Sequence, residues 1–523
     1  MRARVSNPIL PGFYPDPSVC RVGKDYYLVN STFAYFPGVP IFHSRDLVHW
    51  RQIGNILNRE GQIDLTGADH SGGIYAPTIR YHKGIFYMVT TNVTHGGNFI
   101  VTAKDPAGPW SDPVYLGSGG IDPSLFFDDD GKCYYTGTKD RRENHRYFGD
   151  NEIYVQELDL STLKLVGESY PIWHGAHYDA IWPEGPHLYK KYGRYYLMIA
   201  EGGTGHEHAV TIATGTSLKE PFVGNRCNPI LTHRHLGQDY PIVNVGHGDL
   251  VETQNGESYM VVLASRPYGG YYRNLGRETF LVPVTWENGW PVVNRGVGLV
   301  ENTVEVPNLP KFSVDAVPER EEFEGEQLPY HFLYLRNPKM ENYSLSARNG
   351  YLRMKLAPER LPERVSPSYV GVRQTGMSYR VETKMEFTPE NDQEEAGLVL
   401  LQSNQYHYRF VCKLVDNIKT MIVVRCFEGK EEVVGEVGCE NPNSMEQGIL
   451  LRITANQQTL LFAYSFDGKT YIPVKSGVDA SMLSSDVAGG FVGTTMGLYC
   501  SSNGQESNNH VDFDFFEYKI QKS

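Results

Sequence analysis

Cysteine is scarce in this chain and odd in number. There are seven in 523 residues, Cys20, Cys133, Cys227, Cys412, Cys426, Cys439 and Cys500, with no CxxC pair among them. That excludes a zinc cluster and a complete disulfide framework, and the thiols read as reduced core residues. Positive charge is in deficit, 48 Lys and Arg against 61 Asp and Glu, for a formal charge of −13. A polyanionic partner such as nucleic acid or an anionic membrane is therefore disfavoured, and a neutral substrate fits. Long apolar runs are missing too. The opening Met1–Leu10 has no signal-like core and no later segment is long enough for a bilayer, which gives the expectation of a cytoplasmic protein without a membrane partner. In that setting the sequon at Asn30–Thr32 is ordinary strand-end polarity.

The chain is rich in strand and turn residues, with Tyr at 35, Phe at 23 and Gly at 53, and it is too long for one ordinary core. Five segments share one pattern: Asp16–Tyr27, Ala76–Tyr87, Asp122–Tyr135, Glu184–Tyr196 and His247–Tyr259. Each has a polar or small residue, a short apolar strand, a turn with Gly or a charge, and an aromatic-rich strand, which is hairpin chemistry. Their starts are 60, 46, 62 and 63 residues apart, room for one four-stranded antiparallel sheet per unit. All-β repeats of that size predict a five-bladed β-propeller over residues 1–301. Its first strands run beside the central axis, so Asp16, Ala76, Asp122, Glu184 and His247 are expected to converge at one end of the channel. Past Trp290 the pattern dissolves into a Pro-rich, charged stretch, read as a linker over 302–322. Period-two runs such as Tyr379–Phe387, Ala396–Leu401 and Val511–Tyr518 then predict a β-sandwich over 323–523.

Three carboxylates around one axis suit hydrolysis of a glycosidic bond. One protonates the leaving oxygen, one activates water or attacks the sugar, and a third holds up the acid's pKa by like-charge repulsion. An Asp-Pro at a strand start is also plain turn chemistry. Two of them, together with Glu184 where another blade begins, favour the catalytic reading.

The segments Asn7–Ser18, Gly120–Ser124, Glu184–Lys190, Gly246–Asp249 and Gly276–Leu281 resemble the successive motifs of glycoside hydrolase family 43. Pro367–Gln374 and Glu395–Leu398 resemble the concanavalin-like sandwich of its exo-acting members. The resemblance implies five-bladed enzymes acting on xylose- and arabinose-containing glycans. It implies an inverting mechanism with Asp16 as general base, Glu184 as general acid and Asp122 tuning and orienting Glu184. Arg277 matches an arginine that hydrogen-bonds the sugar, with a salt bridge to Glu278 or another acid as the competing role, while Arg266 reads as structural. His247 is either a polar residue near substrate or the ligand of a mostly hydrated structural calcium found in some relatives; no other cofactor is implied. Phe33 and Tyr75 either stack on a pentose or pack between blades, and Tyr75 stands where the family often has Trp, which bears on substrate preference. Gly371–Gln374 carries one Arg where the related sandwich commonly has two. The stretch Gly490–Tyr499 is the candidate for a sandwich loop closing one side of the pocket.

The resulting expectation is an exo-acting hydrolase that releases xylose or arabinofuranose from short plant-cell-wall oligosaccharides, with a homo-oligomer left open. Two readings compete. One is a retaining fructan-type five-bladed hydrolase with Asp16 as nucleophile, against which stands the Tyr14-Pro-Asp-Pro17 context. The other is a non-catalytic sugar-binding propeller, which would not need a proton donor and an acceptor together.

Overall fold

The computed structural model describes residues 3–141, 145–439 and 448–521. Five antiparallel sheets form the blades. Blade 1 runs through Ser18–Val22, Asp25–Val29, Gly38–Ser44 and Arg51–Leu57, and blade 2 from Thr78–His82 to Val114–Tyr115. Blade 3 spans Ile121–Phe127 to Lys164–Trp173, blade 4 Glu184–Lys191 to Val223–Gly224, and blade 5 Val243–Glu252 to Trp290–Val293. The aromatic, β-branched strands that marked each hairpin in sequence are the first two strands of each blade. Their inner strands adjoin around the axis, blade 5 meeting blade 1. The N-terminal segment is stitched onto blade 5: Ile9 N–H donates to the Thr279 carbonyl at 2.9 Å, and the Asn7 amide brackets Leu281, donating to its carbonyl at 2.9 Å and accepting from its N–H at 3.1 Å.

Below the axial ends the channel is filled. Asp249, fully buried, accepts from Ser18 Oγ (2.8 Å), Val19 N–H (3.0 Å), Tyr189 Oη (2.7 Å) and both Nη atoms of Arg80 (2.8 and 3.1 Å). Arg80 Nη2 also donates to His187 Nδ1 at 2.9 Å. A buried charge persists only when paired and fully hydrogen-bonded. This one is satisfied by blades 1, 2 and 4 at once, so it ties the ring together and gives the axial pit a floor.

The C-terminal part is a sandwich of two sheets of eight strands each. One sheet ends on a strand that is not its own. Leu333–Leu335 pairs with Tyr35–Phe36, which lies between the second and third strands of blade 1, in the register Tyr334↔Phe36 and Leu335↔Tyr35. Arg336 follows with no exposed surface; it donates to the Ala68 and Val365 carbonyls (both 2.7 Å) and to Asn404 Oδ1 (2.6 Å). One apolar cluster takes Phe13, Phe33 and Ile74 from the propeller and Leu335, Val399 and Tyr499 from the sandwich. The two parts share a core.

The stretch read as a linker is not free chain. Thr303–Glu305 pairs with Arg4–Ser6 and Arg320–Glu321 with the last sandwich strand. Between them Phe312 N–H donates to Asp46 at 2.8 Å while its ring meets His43 edge-on at 5.0 Å, and Asn308 N–H donates to Glu257 at 3.0 Å. Its prolines and charges belong to a strap laid over blades 1 and 5, an outcome that composition does not distinguish from a mobile spacer.

Because the core is shared, a fragment ending near residue 310 is expected to aggregate or to melt well below the whole protein, and the full chain to unfold in one cooperative transition. Calorimetry on both decides; a soluble fragment with full activity, or two separate transitions in the full chain, contradicts the shared core.

Candidate active site

The axial residues owe their placement to a repeated backbone irregularity. Asp16, Asp122 and His247 all have left-handed backbone, with φ of 52°, 54° and 47°. Each such non-glycine residue costs on the order of 1–3 kcal/mol and persists only where the surrounding structure imposes it. The ladder register shifts across Asp122, between Ile121 and Ser124, and around His247, between Val243 and Gly248. A bulge of this kind turns a side chain out of the strand's alternation and aims it at the axis. In blade 4 the shift falls between Glu184 and His187, and the left-handed residue is Gly185 (φ 57°). Aligned on this backbone, Gly185 rather than Glu184 is the equivalent of Asp16 and Asp122. The spacing of the repeats predicts Glu184 at that position, and the structure brings Glu184 in from one residue before it. Gly185 has a second reason to be glycine: a Cβ there would lie 2.9 Å from the His247 ring. Ala76 occupies the blade 2 position with no functional group.

Asp16 is buried and fully engaged. Its Oδ1 receives Arg277 Nη1 at 2.9 Å and lies 3.7 Å from His247 Nδ1; its Oδ2 receives Ser31 Oγ at 2.6 Å. Burial alone would push its carboxyl up, but Arg277, His247 and Ser31 together hold it below the usual range. Asp122 is buried as well and receives only the Gly185 N–H, at 3.1 Å. Burial, reinforced by the charge on Asp16 and opposed by His247, pushes it up to about 6. Glu184 goes further: burial first, then the charges of Asp122 and Asp16, raise it well above the ordinary glutamate value, and Arg277 offsets this only in part. Among the described residues no group hydrogen-bonds the Glu184 carboxyl. The pit thus sets Asp16, held down by its counter-charge, against Glu184, pushed up and without a hydrogen-bond partner among the described residues, the divergence of two carboxyls that acid–base catalysis uses.

Arg277 and Arg266 divide two carboxylates between them. Arg266 binds Glu278 through Nε and Nη2 at 2.7 and 2.8 Å, and Glu278 in turn accepts Gly12 N–H at 2.9 Å, which fixes the loop before Asp16. Arg277 is left for Asp16, and its Nε has no partner among the described residues. The wall beside it is aromatic. Arg277 lies over Phe33 (5.8 Å) and Phe491 (5.5 Å), and Tyr75 meets both rings edge-on, at 5.6 and 5.9 Å. Phe33 is only 1% exposed, so it backs the other two rings and presents almost no face to a ligand, the packing alternative of the two expected for it. Phe491 comes from the sandwich, inside the stretch singled out in sequence. Its N–H donates to Ser71 Oγ at 2.9 Å, and the approach is close enough that a Cβ at Gly276 would lie 2.8 Å from Gly493 N.

Ser31 and His208 escaped the sequence reading. Ser31 lies just past the end of the second strand of blade 1, and only the ladder brings it onto Asp16. His208 donates through Nδ1 to the Asn244 carbonyl (3.0 Å), packs flat against Gly246 and is kept neutral by burial, with its pKa lowered to about 3. Around His247 the fit for a calcium ion is poor in protein donors. Among the described residues no group of three or more His, Cys, Asp or Glu is arranged so that it could hold a metal ion, and the carboxylate 3.7 Å from His247, Asp16, is already held by Arg277 and Ser31. A cation there would take its oxygens from water.

Comparison with known proteins follows the same division of the chain. The profile of the glycosyl hydrolases family 43 matches residues 5–291, and that of the beta xylosidase C-terminal concanavalin A-like domain matches residues 320–519. A xylosidase/arabinosidase of Butyrivibrio fibrisolvens is 51% identical over 530 residues, covering 98% of both chains. A non-reducing end alpha-L-arabinofuranosidase of Bacteroides ovatus is 40% identical over 522 residues, covering 98% of this chain and 94% of its own. Among solved structures, a xylan beta-1,4-xylosidase from Bacillus halodurans superposes with a TM-score of 0.93 at 38% identity, over 98% of this chain and all of that one.

The electrostatics set the pH dependence of any reaction that uses these groups. Removing a neighbouring negative charge lowers a raised carboxyl, so Asp122→Asn is expected to move the alkaline limb of the kcat/KM profile to lower pH. Removing Arg277 takes away what holds Asp16 down, so Arg277→Met is expected to move the acid limb to higher pH. Rate profiles of the two variants check this; limbs that stay in place would show that the charges do not act on one another.

Proposed function

Because the chain belongs to the glycosyl hydrolases of family 43, we propose that it is an exo-acting, inverting pentosidase that removes terminal xylose or arabinofuranose units from short oligosaccharides. The observation that carries the assignment of roles is the contrast between Asp16, paired with Arg277, and Glu184, pushed up by burial and by two neighbouring carboxylates. Asp16, ionised against Arg277, accepts a proton from a water held on one face of the sugar, and that water's oxygen bonds to the anomeric carbon. Glu184 gives its proton to the glycosidic oxygen on the other face as that bond breaks. The step leaves Asp16 protonated and Glu184 ionised, and exchange with solvent restores both. Asp122 keeps Glu184 protonated through its charge and takes no proton in the step. Arg277 holds Asp16.

The exo preference is supported by the floor under the pit and by Phe491 closing its side, which leave room for a chain end and not for a chain passing through. The choice of pentoses is supported by the names of the relatives, among them enzymes called xylosidase and arabinosidase. Side chains and water suffice for the chemistry, and no step runs through a cation at His247. Seven free cysteines, six of them buried, support a cytoplasmic site of action on imported oligosaccharides. The fructan-type retaining reading, with Asp16 as nucleophile, differs in the anomeric configuration of the first product.

Two measurements test the roles. Proton NMR of the fresh product is expected to show inverted anomeric configuration first; initial retention would remove Asp16 as base. Glu184→Gln is expected to lose about 10²- to 10⁴-fold on a disaccharide and far less on an aryl glycoside with a good leaving group. Asp16→Asn is expected to fail on both. Equal losses across leaving groups would remove Glu184 as acid.

A further inference from the structure

Trp182 stands two residues before Glu184 with a φ of 46°, a left-handed conformation that a side chain of this size rarely adopts. The conformation is held from both sides: Trp182 N–H donates to the Gly149 carbonyl at 2.8 Å, and Gly202 N–H donates to the Ile181 carbonyl at 2.8 Å. The indole fits a slot made by missing side chains. A Cβ at Gly203 would come within 2.8 Å of its six-membered ring, and one at Gly149 within 3.1 Å of its Nε1. A ring seated this firmly is normally core, yet Trp182 is 39% exposed, Phe148 at its edge (5.3 Å) is 79% exposed, and Tyr178 on the same loop is 96% exposed.

The two loops that carry these rings are tied to each other and to the blade beneath. Tyr147 Oη donates to the Ala180 carbonyl at 3.0 Å, and Ala176 N–H donates to the buried Glu201 carboxylate at 2.8 Å. The lobe also borders the pit. Gly203, on which the indole rests, is followed by Thr204 and Gly205, which line one small cavity together with Arg277 and Phe491. Strain next to a catalytic position, with exposed aromatic surface held rigid, is a pattern of ligand sites and gives nothing to the core.

We infer that Trp182, edged by Phe148, is the platform on which the leaving-group sugar stacks. The inference rests on Glu184 as the acid: that residue faces the glycosidic oxygen, and a ring two residues upstream at the rim lies where the next sugar unit emerges. A neutral pyranose covers an aromatic face with its C–H groups and needs no charge, in keeping with a lobe that offers rings rather than cations.

The test compares two substrates that share a glycone. One is the disaccharide of whichever pentose the wild-type enzyme accepts; the other is the glycosyl fluoride of that pentose, which places no sugar on the leaving side. Glycine adopts the φ of Trp182 without strain, so Trp182→Gly removes the ring and keeps the backbone, and Trp182→Phe keeps a smaller ring. Trp182→Gly is expected to lose roughly three- to tenfold in kcat/KM on the disaccharide, mainly through KM, with Trp182→Phe in between. The fluoride should stay within about twofold of wild type. An equal loss on both substrates would mean that Trp182 only positions Glu184, and no loss on the disaccharide would mean that the ring touches no sugar; either overturns the inference. A wild-type enzyme inert on both substrates would instead overturn the glycosidase reading and this inference with it.

Discussion

The ion pair between Asp16 and Arg277 is the interaction on which the rest of the site depends. Three carboxyls meet in a buried pit with the Arg277 guanidinium within reach, so the one that Arg277 pairs with is ionised at the least cost. The backbone decides which. Arg266 satisfies Glu278, Arg277 is thereby left for Asp16, and Ser31 occupies the second oxygen of Asp16. Burial, then the charge of Asp122 and then that of Asp16, all act in the same direction on Glu184. In the proposed roles the Asp16–Arg277 pair separates the acceptor from the donor, through environment rather than residue type.

Desolvation is the other half of this arrangement, and the propeller does not provide it alone. The floor comes from Asp249 and Arg80 within the ring, while Phe491 reaches over from the sandwich to complete the wall. Tyr35–Phe36 gives the sandwich an edge strand, and Arg336 threads between the two parts. The sandwich therefore contributes Phe491 to the wall of the candidate site and shares a core with the propeller. Strained backbone at Asp16, Asp122 and His247 lies on this shared scaffold, which over-determines it.

Much of this was legible in the sequence, for physical reasons that also mark where reading stopped. Hairpins announce themselves through turn residues and aromatic flanks, so the five blades and the axial acids Asp16 and Asp122 could be placed. Glu184 was found, but its register was not: a bulge has no signature in hydrophobic period, and the glycine at 185 was the only hint. Arg277 carried two readings, and only the structure shows that Arg266 takes the competing partner. Phe33 looked like Tyr75 in sequence because both flank axial strands, and burial separates them. The 302–322 strap and the Tyr35–Phe36 strand depend on contacts between distant segments, which composition cannot report. Ser31 and His208 are ordinary polar residues until the ladder brings them to Asp16.

The central claim is that at neutral pH one carboxyl of the pit, Glu184, keeps its proton while Asp16 has lost its own. Difference infrared spectroscopy between the wild-type protein and Glu184→Gln at pH 7 reads this directly. The account predicts a protonated-carboxyl stretch in the wild type that the variant lacks. A difference spectrum showing only carboxylate bands, with Glu184 ionised at pH 7, would contradict it.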